Sequence, residues 1–145
     1  ADGLREELME LVQADINIFK PLSNLYGMKA DTETEKEKKE RLLENALDDA
    51  CGVPLKIMKA CGKAIELSGR FACKGSKLAV SDAGAGAIIC KAALQAASLN
   101  VYINTKSMKD RKRADELDSM CAMYMVKYTA MADEIFESVA ESLRG

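Results

Sequence analysis

The stretch Ser81 to Asp110, SDAGAGAIICKAALQAASLNVYINTKSMKD, constrains the fold more than any other part of the chain. Ala83, Gly84, Ala85, Gly86, Ala87, Ala92, Ala93, Ala96, Ala97 and Ser98 leave little side chain on almost any face, so neighbouring helices can approach closely all round. Ser81 reads as an N-cap and Asp82 as a charge favoured by the helix dipole, which predicts a central, most buried helix starting there. Gly84 and Gly86 each cost about 1 kcal/mol relative to Ala inside a helix, so a close backbone contact or a ligand is expected to offset them. Lys91 and Gln95 interrupt the run short of the ~20 apolar residues of a membrane span, so no membrane partner is expected.

The rest of the composition agrees with helices. Aromatic residues make up 5% of the 145 residues and Trp is absent, so a core of Leu, Ile, Ala and Met must be packed helix on helix. The expected class is all-α, an antiparallel helical bundle with a long C-terminal helix and a small-residue central helix, in one domain spanning 1–145. A net charge of -2 leaves no basic stripe for nucleic acid. Cys51, Cys61, Cys73, Cys90 and Cys121 are odd in number and widely spaced, with no signal peptide before them, which reads as reduced thiols in the cytoplasm. Histidine is absent, which removes the commonest metal ligand and the commonest general base. Catalysis would therefore fall to Asp, Glu, Lys or Tyr, and no metal is expected.

From Leu4 to Tyr26 the apolar residues Leu4, Leu8, Leu11, Val12, Ile18, Phe19, Leu22 and Leu25 recur at helical spacing. Asp15 lies among them: at ~100° per residue, Leu8, Leu11, Ile18, Phe19 and Leu22 all project within about 60° of it. A carboxylate aimed at a core needs a partner or a purpose. Two readings stand open, a functional acid or a buried Asp that caps another helix or pairs with a Lys. Pro21 cannot donate to the carbonyl of Asn17, which predicts a kink within a turn of Asp15.

Gly27 closes this helix, and Asp31 or Thr32 opens the next, whose charged first turns include Glu35 and Lys39 as an i,i+4 pair. Its stripe of Leu43, Leu47, Ala50, Ile57, Met58, Cys61 and Ile65 is interrupted at Gly52 and Pro54, where a bend or break is expected. Residues 68–80, with two glycines and no sustained period, read as the longest loop, made basic by Arg70, Lys74 and Lys77. Asn100 and Asn104 share a face at i,i+4, able to hold polar ligand atoms or to bridge backbone groups at a helix end. Ser107 and Asp110 form a capping-box-like start for the last helix. That helix carries a seam of Leu117, Cys121, Tyr124, Tyr128, Met131, Ile135 and Val139 for bundle packing or a partner subunit.

The residues LVQADINIF around Asp15, VPL at Val53 to Leu55, SDAGAGA at Ser81 to Ala87 and LNVYIN at Leu99 to Asn104, followed by Lys106 and Asp110, resemble the cyclodeaminase/cyclohydrolase family. This is the C-terminal domain of formiminotransferase-cyclodeaminase together with its stand-alone bacterial relatives. The resemblance covers most of the chain and rests on the motifs occurring in that order. It implies an all-helical homodimeric enzyme acting on one-carbon-loaded tetrahydrofolate without a cofactor, with Asp15 in the position of the catalytic acid. It also implies pocket or interface roles for Ser81, Asp82, Asn100 and Asn104, of which Asp82, Asn100 and Asn104 are the substrate-binding candidates. The family's glycine- and serine-rich opening segment and first helix have no counterpart before the Asp15 helix. The leading expectation is hydrolysis of methenyltetrahydrofolate to formyltetrahydrofolate. The alternatives are formiminotetrahydrofolate cyclodeaminase and a non-catalytic helical dimerisation module.

Overall fold

Each apolar stripe of helical period becomes a helix. The computed structural model describes residues 2–74 and 77–145, which form α1 (Asp2–Gly27), α2 (Glu33–Lys74), α3 (Lys77–Ser107) and α4 (Arg111–Arg144), with no strand among them. Side chains are described for all of these except 74, 77 and 78. Asn104 meets Ala50 and Gly86 faces Ser68, so α3 runs antiparallel to α2, whereas Arg113 meets Asp48 and Lys127 meets Glu66, so α4 runs parallel to it. Glu7 pairs with Lys63 and Lys39 reaches the α1 terminus, so α1 is antiparallel to α2 as well. The result is an up-down-up-down bundle.

The axis of this bundle is α2, not α3 as its small residues suggested. Among the described residues α2 packs against all three other helices, α3 packs against α2 and α4, and α1 touches α2 alone. Leu47, Cys51, Met58, Cys61 and Ile65 of α2 are fully buried, and Leu94 and Val101 of α3 and Cys121 of α4 meet them. The outer face of α3 stays exposed at Ile89, Leu99 and Ile103. By length and composition Ala79–Ser107 is apolar enough to cross a bilayer, so Lys91 and Gln95 do not exclude a span as the sequence argument held. In the bundle Lys91 instead forms an ion pair with Asp133 of α4 at 2.6 Å.

Several local expectations shift for physical reasons. Ser68 to Lys74 extend α2 and α3 is helical from Lys77, so the loop expected over 68–80 is mostly helix, and 75–76 lie outside the described residues. Ser81 is thus inside α3 and not its N-cap. Gly69 is used for packing: a Cβ there would stand 3.1 Å from Ile135. Gly84 meets the close contact expected of it, since a Cβ would lie 2.9 Å from Val139 of α4. Helical structure continues through both Pro21 and Pro54 without a break. Val12 and Phe19, expected on the buried face of α1, are exposed, because one neighbour covers only a narrow stripe and Leu22 alone is buried.

The helix ends are fixed by side chains. Thr32 and Glu35 form a capping box at the start of α2: the Glu35 amide donates to Thr32 Oγ1 at 3.3 Å, and Glu35 Oε2 accepts from the Thr32 and Asp31 amides at 3.0 Å. Glu35 therefore does not pair with Lys39, whose ammonium donates to the carbonyls of Tyr26 in the last turn of α1 and of Met28 just beyond it. The cap of α4 is Asp110, which accepts from the Arg113 amide at 3.0 Å, while Ser107 ends α3 and donates to Ile103 O. Glu44 of α2 clamps the α3–α4 turn by accepting the Lys109 and Asp110 amides at 2.9 Å, and Asp48 takes the Arg113 guanidinium in a forked pair. Together these contacts seat the C-terminal end of α3 on α2.

Candidate functional site

Because α1 touches only α2, an open groove of about 530 Å³ runs between α1 and α3 with α2 as its floor. That size is ordinary for a small-molecule site. Ile16, Phe19 and Tyr26 line it from α1, Ala50 and Pro54 from α2, and Asn100, Ile103, Asn104 and Ser107 from α3. Asp15 also lines the groove, half-buried. Among the described residues no hydrogen bond or ion pair engages its carboxylate. The structural alternative for Asp15 needed a helix cap or a lysine, and the described part of the chain supplies neither.

The floor explains Asn104. In an α-helix the carbonyl of Ala50 accepts from the amide of residue 54, and Pro54 has none. Ala50 is buried, so its carbonyl needs another donor. Asn104 supplies one, donating its Nδ2 to Ala50 O at 3.3 Å. With one N–H of its NH2 committed to α2, Asn104 keeps its amide oxygen and the second N–H for a ligand in the groove. Of the two roles that the sequence left open for this residue, the bridge to a backbone group is the one seen, and the side chain also lines the cavity.

Three of the four site candidates are thus brought together: Asp15, Asn100 and Asn104. Asp82 is not with them. It is exposed near the start of α3, about 33 Å from Asn104 along the helix at 1.5 Å per residue. Sequence reasoning missed Lys20 and Ser107, which also line the groove. Ser107 was readable, since it continues the Asn100–Asn104 line at i+7. Lys20 was not, because it projects about 140° from Asp15 on a helical wheel and only a long flexible stem brings it round.

Other chemistry in the chain is muted. Burial pushes the Cys51 thiol up to about 12 and the Cys61 thiol up to about 11, and Cys90 and Cys121 are raised for the same reason. These four are poor nucleophiles near neutral pH. All five cysteines are free thiols. No group of three or more acidic or cysteine side chains among the described residues is placed to hold a metal ion. A second groove of about 570 Å³ on the other side of α1 holds Asp48 and Arg113, already committed to each other.

Comparison with known proteins converges on one group. The chain is 32% identical over 139 residues to the methenyltetrahydrofolate cyclohydrolase of Methylorubrum extorquens, covering 96% of this chain and 67% of that protein. Its fold matches the crystal structure of formiminotetrahydrofolate cyclodeaminase from Thermotoga maritima with a TM-score of 0.74 and 24% identity, covering 99% of this chain and 66% of that one. The chain therefore spans about two thirds of the length of each. The profile of the family described as formiminotransferase-cyclodeaminase matches residues 1–123, and with the cyclohydrolase relative this establishes that the chain belongs to that family.

Proposed function

We propose that the chain hydrolyses methenyltetrahydrofolate to formyltetrahydrofolate, as the name of its Methylorubrum relative describes, and that it works as a homodimer. The observation that carries the catalytic reading is the Asp15 carboxylate, half-buried in the groove and engaged by no other group among the described residues. The reacting carbon of the substrate lies between two nitrogens that share one positive charge. A carboxylate beside it stabilises that charge and takes a proton from the attacking water. The oxygen of water bonds to the carbon as Asp15 takes one of its protons, one carbon–nitrogen bond breaks, the freed nitrogen takes up that proton, and the second proton of the water leaves to solvent with the substrate's positive charge as the formyl C=O forms. The Asn104 amide oxygen suits an N–H donor of the pterin ring, and Lys20 is the groove's cation for the anionic glutamate end of a folate.

Cyclodeamination, the reaction in the name of the Thermotoga protein, fits the same groove with Asp15 in its acid form as proton donor to the leaving ammonia. Supplying each substrate separately and measuring methenyl decay or ammonia release tells the two apart.

The decisive variant is Asp15→Asn, which keeps size and removes the exchangeable proton. Turnover is expected to fall by ~10² or more, the scale of a lost positioned acid or base. Since the carboxylate has no partner among the described residues, the unfolding free energy from urea melts should stay within about 0.5 kcal/mol of the parent. Unchanged turnover per folded molecule would overturn the assignment of Asp15, whereas a folded parent that neither binds folate nor turns it over would leave the non-catalytic dimerisation module standing.

A further inference from the structure

We propose that two copies of the chain pair antiparallel through the outward face of α3, about a two-fold axis beside residue 94, so that the partner's Asp82 comes to the mouth of the groove. This rests on the homodimer reading above and names its surface. The face is apolar, exposed and regular. Ile89, Leu99 and Ile103 are 69%, 66% and 66% exposed, and Ala85, Ala92 and Ala96 beside them are exposed too. From 85 to 103 these residues step by four, three, four, three and four, the spacing of a coiled-coil seam, yet among the described residues no helix covers them.

The pattern is symmetric about residue 94, and that symmetry selects the occupant. Reversed end to end, the seam places Ala92 against the partner's Ala96, Ile89 against the partner's Leu99 and Ala85 against the partner's Ile103. Small residues at the centre let the two backbones approach closely, and large ones fill the space on either side. A surface that complements itself on reversal is what a two-fold dimer requires. One step further out on the same seam stand Asp82 and Lys106, both exposed. Within the chain neither has a hydrogen-bond or ion-pair partner among the described residues. In the antiparallel register each Asp82 faces the partner's Lys106. In a parallel register Asp82 would face its own copy, and so would Lys106. The charges therefore choose the antiparallel arrangement.

The consequence for the site follows from Ile103, which belongs both to this seam and to the groove wall. Asp82 stands far from the groove of its own chain, but the two-fold brings the partner's Asp82 beside Lys106, one turn beyond Ile103. The groove is thus closed at that end by the second copy.

The test uses the full chain at micromolar concentration in sedimentation equilibrium, with circular dichroism to verify that each variant is folded. The parent should be a dimer. Ala96→Arg, at an exposed position in the centre of the seam, should weaken it at least ~100-fold. Asp82→Lys and Lys106→Asp each set like charges against each other at both ends and should weaken it about tenfold. Mixing these two single variants, or combining them in one chain, restores opposite charges and should restore the dimer. A monomeric parent would overturn both this proposal and the homodimer reading. A dimer indifferent to Ala96→Arg would overturn this interface alone, and a dimer weakened by the single reversals but not rescued by mixing would overturn the antiparallel register. Co-sedimentation of the parent with phosphatidylcholine–phosphatidylglycerol vesicles, lost in Ala96→Arg, would show that a bilayer covers the face and would likewise overturn the proposal.

Discussion

The side of the bundle that faces α4 and the side that faces α1 are built differently. On the α4 side, glycines are filled by their neighbours: a Cβ on Gly62 would lie 2.3 Å from the Tyr128 ring, and one on Gly84 would lie 2.9 Å from Val139. Polar locks add to this, with Thr105 donating to Asp118 at 2.7 Å and Lys91 and Arg113 paired across helices. On the α1 side the packing opens: in the second groove, where Ile18 of α1 stands over α2 and α4, a Cβ on Gly52 would meet nothing within 4 Å. Leu22 is the only buried residue of α1, and one half-exposed ion pair, Lys63–Glu7, joins its first half to α2. Close packing and an open cleft cannot occupy the same surface, and the chain puts its candidate chemistry where the packing stops.

The largest effect on stability should therefore come from filling a glycine on the closed side. Gly62→Val drives two or three atoms into the Tyr128 ring and should cost about 3 kcal/mol, the upper end for overpacking. The matching change on the open side, Gly52→Ala, meets no neighbour and should stabilise α2 by about 0.5–1 kcal/mol through helix propensity. Urea melts of both variants test the contrast directly. Shifts of the same sign and similar size, or a tolerated Gly62→Val, would remove the distinction between the two sides.

A smaller effect is expected where the two sides meet at Pro54. Asn104→Ala leaves the Ala50 carbonyl without its donor, at a cost of about 1–2 kcal/mol for a buried acceptor that the groove can partly rehydrate. Asn104→Gln, whose longer stem moves the amide out of register, should recover only part of that. Pro54→Ala restores the missing helical amide, so in that background Asn104→Ala should cost much less. A double-mutant cycle showing no coupling between 54 and 104 would break this account.

These contrasts also mark how far the sequence could be read. Four helices were legible because every apolar stripe keeps a 3.6-residue period, and a close contact on α3 was legible in Gly84, though not that α4 makes it. Period does not give the width of a buried stripe. Val12 and Phe19 fall on the right side of the α1 wheel yet stay exposed, since α1 has one neighbour rather than two. The small residues of α3 suggest close neighbours all round, whereas they serve close contact on one face and leave the other open. In the groove, Asp15 was legible as a charge on an apolar face. An unserved carbonyl at Ala50 was deducible from Pro54 alone, but the donor lies fifty-four residues away at Asn104, and only the packing of α3 on α2 supplies it.

The smallest expected effect concerns the joint that holds α1 to the rest, and it is a pH effect. The Thr32 amide, then the Asp31 amide, then the Thr32 hydroxyl hold the Glu35 carboxyl below its ordinary 4.5. A carboxyl whose pKa is lowered by folding contributes stability above its unfolded value, and that contribution disappears as the pH falls through the lower folded value. The loss therefore lies below pH 4.5, and above it the capping box is intact. Glu35 is fully exposed, so only a local loosening is expected: faster amide exchange over residues 28–36, while α3 and α4 keep their protection. Glu35→Gln retains an acceptor oxygen and cannot titrate, so its exchange profile should be flat across the same range. An identical acid response in the parent and in Glu35→Gln would show that α1 is released by some other group, and that its joint to α2 is not the capping box.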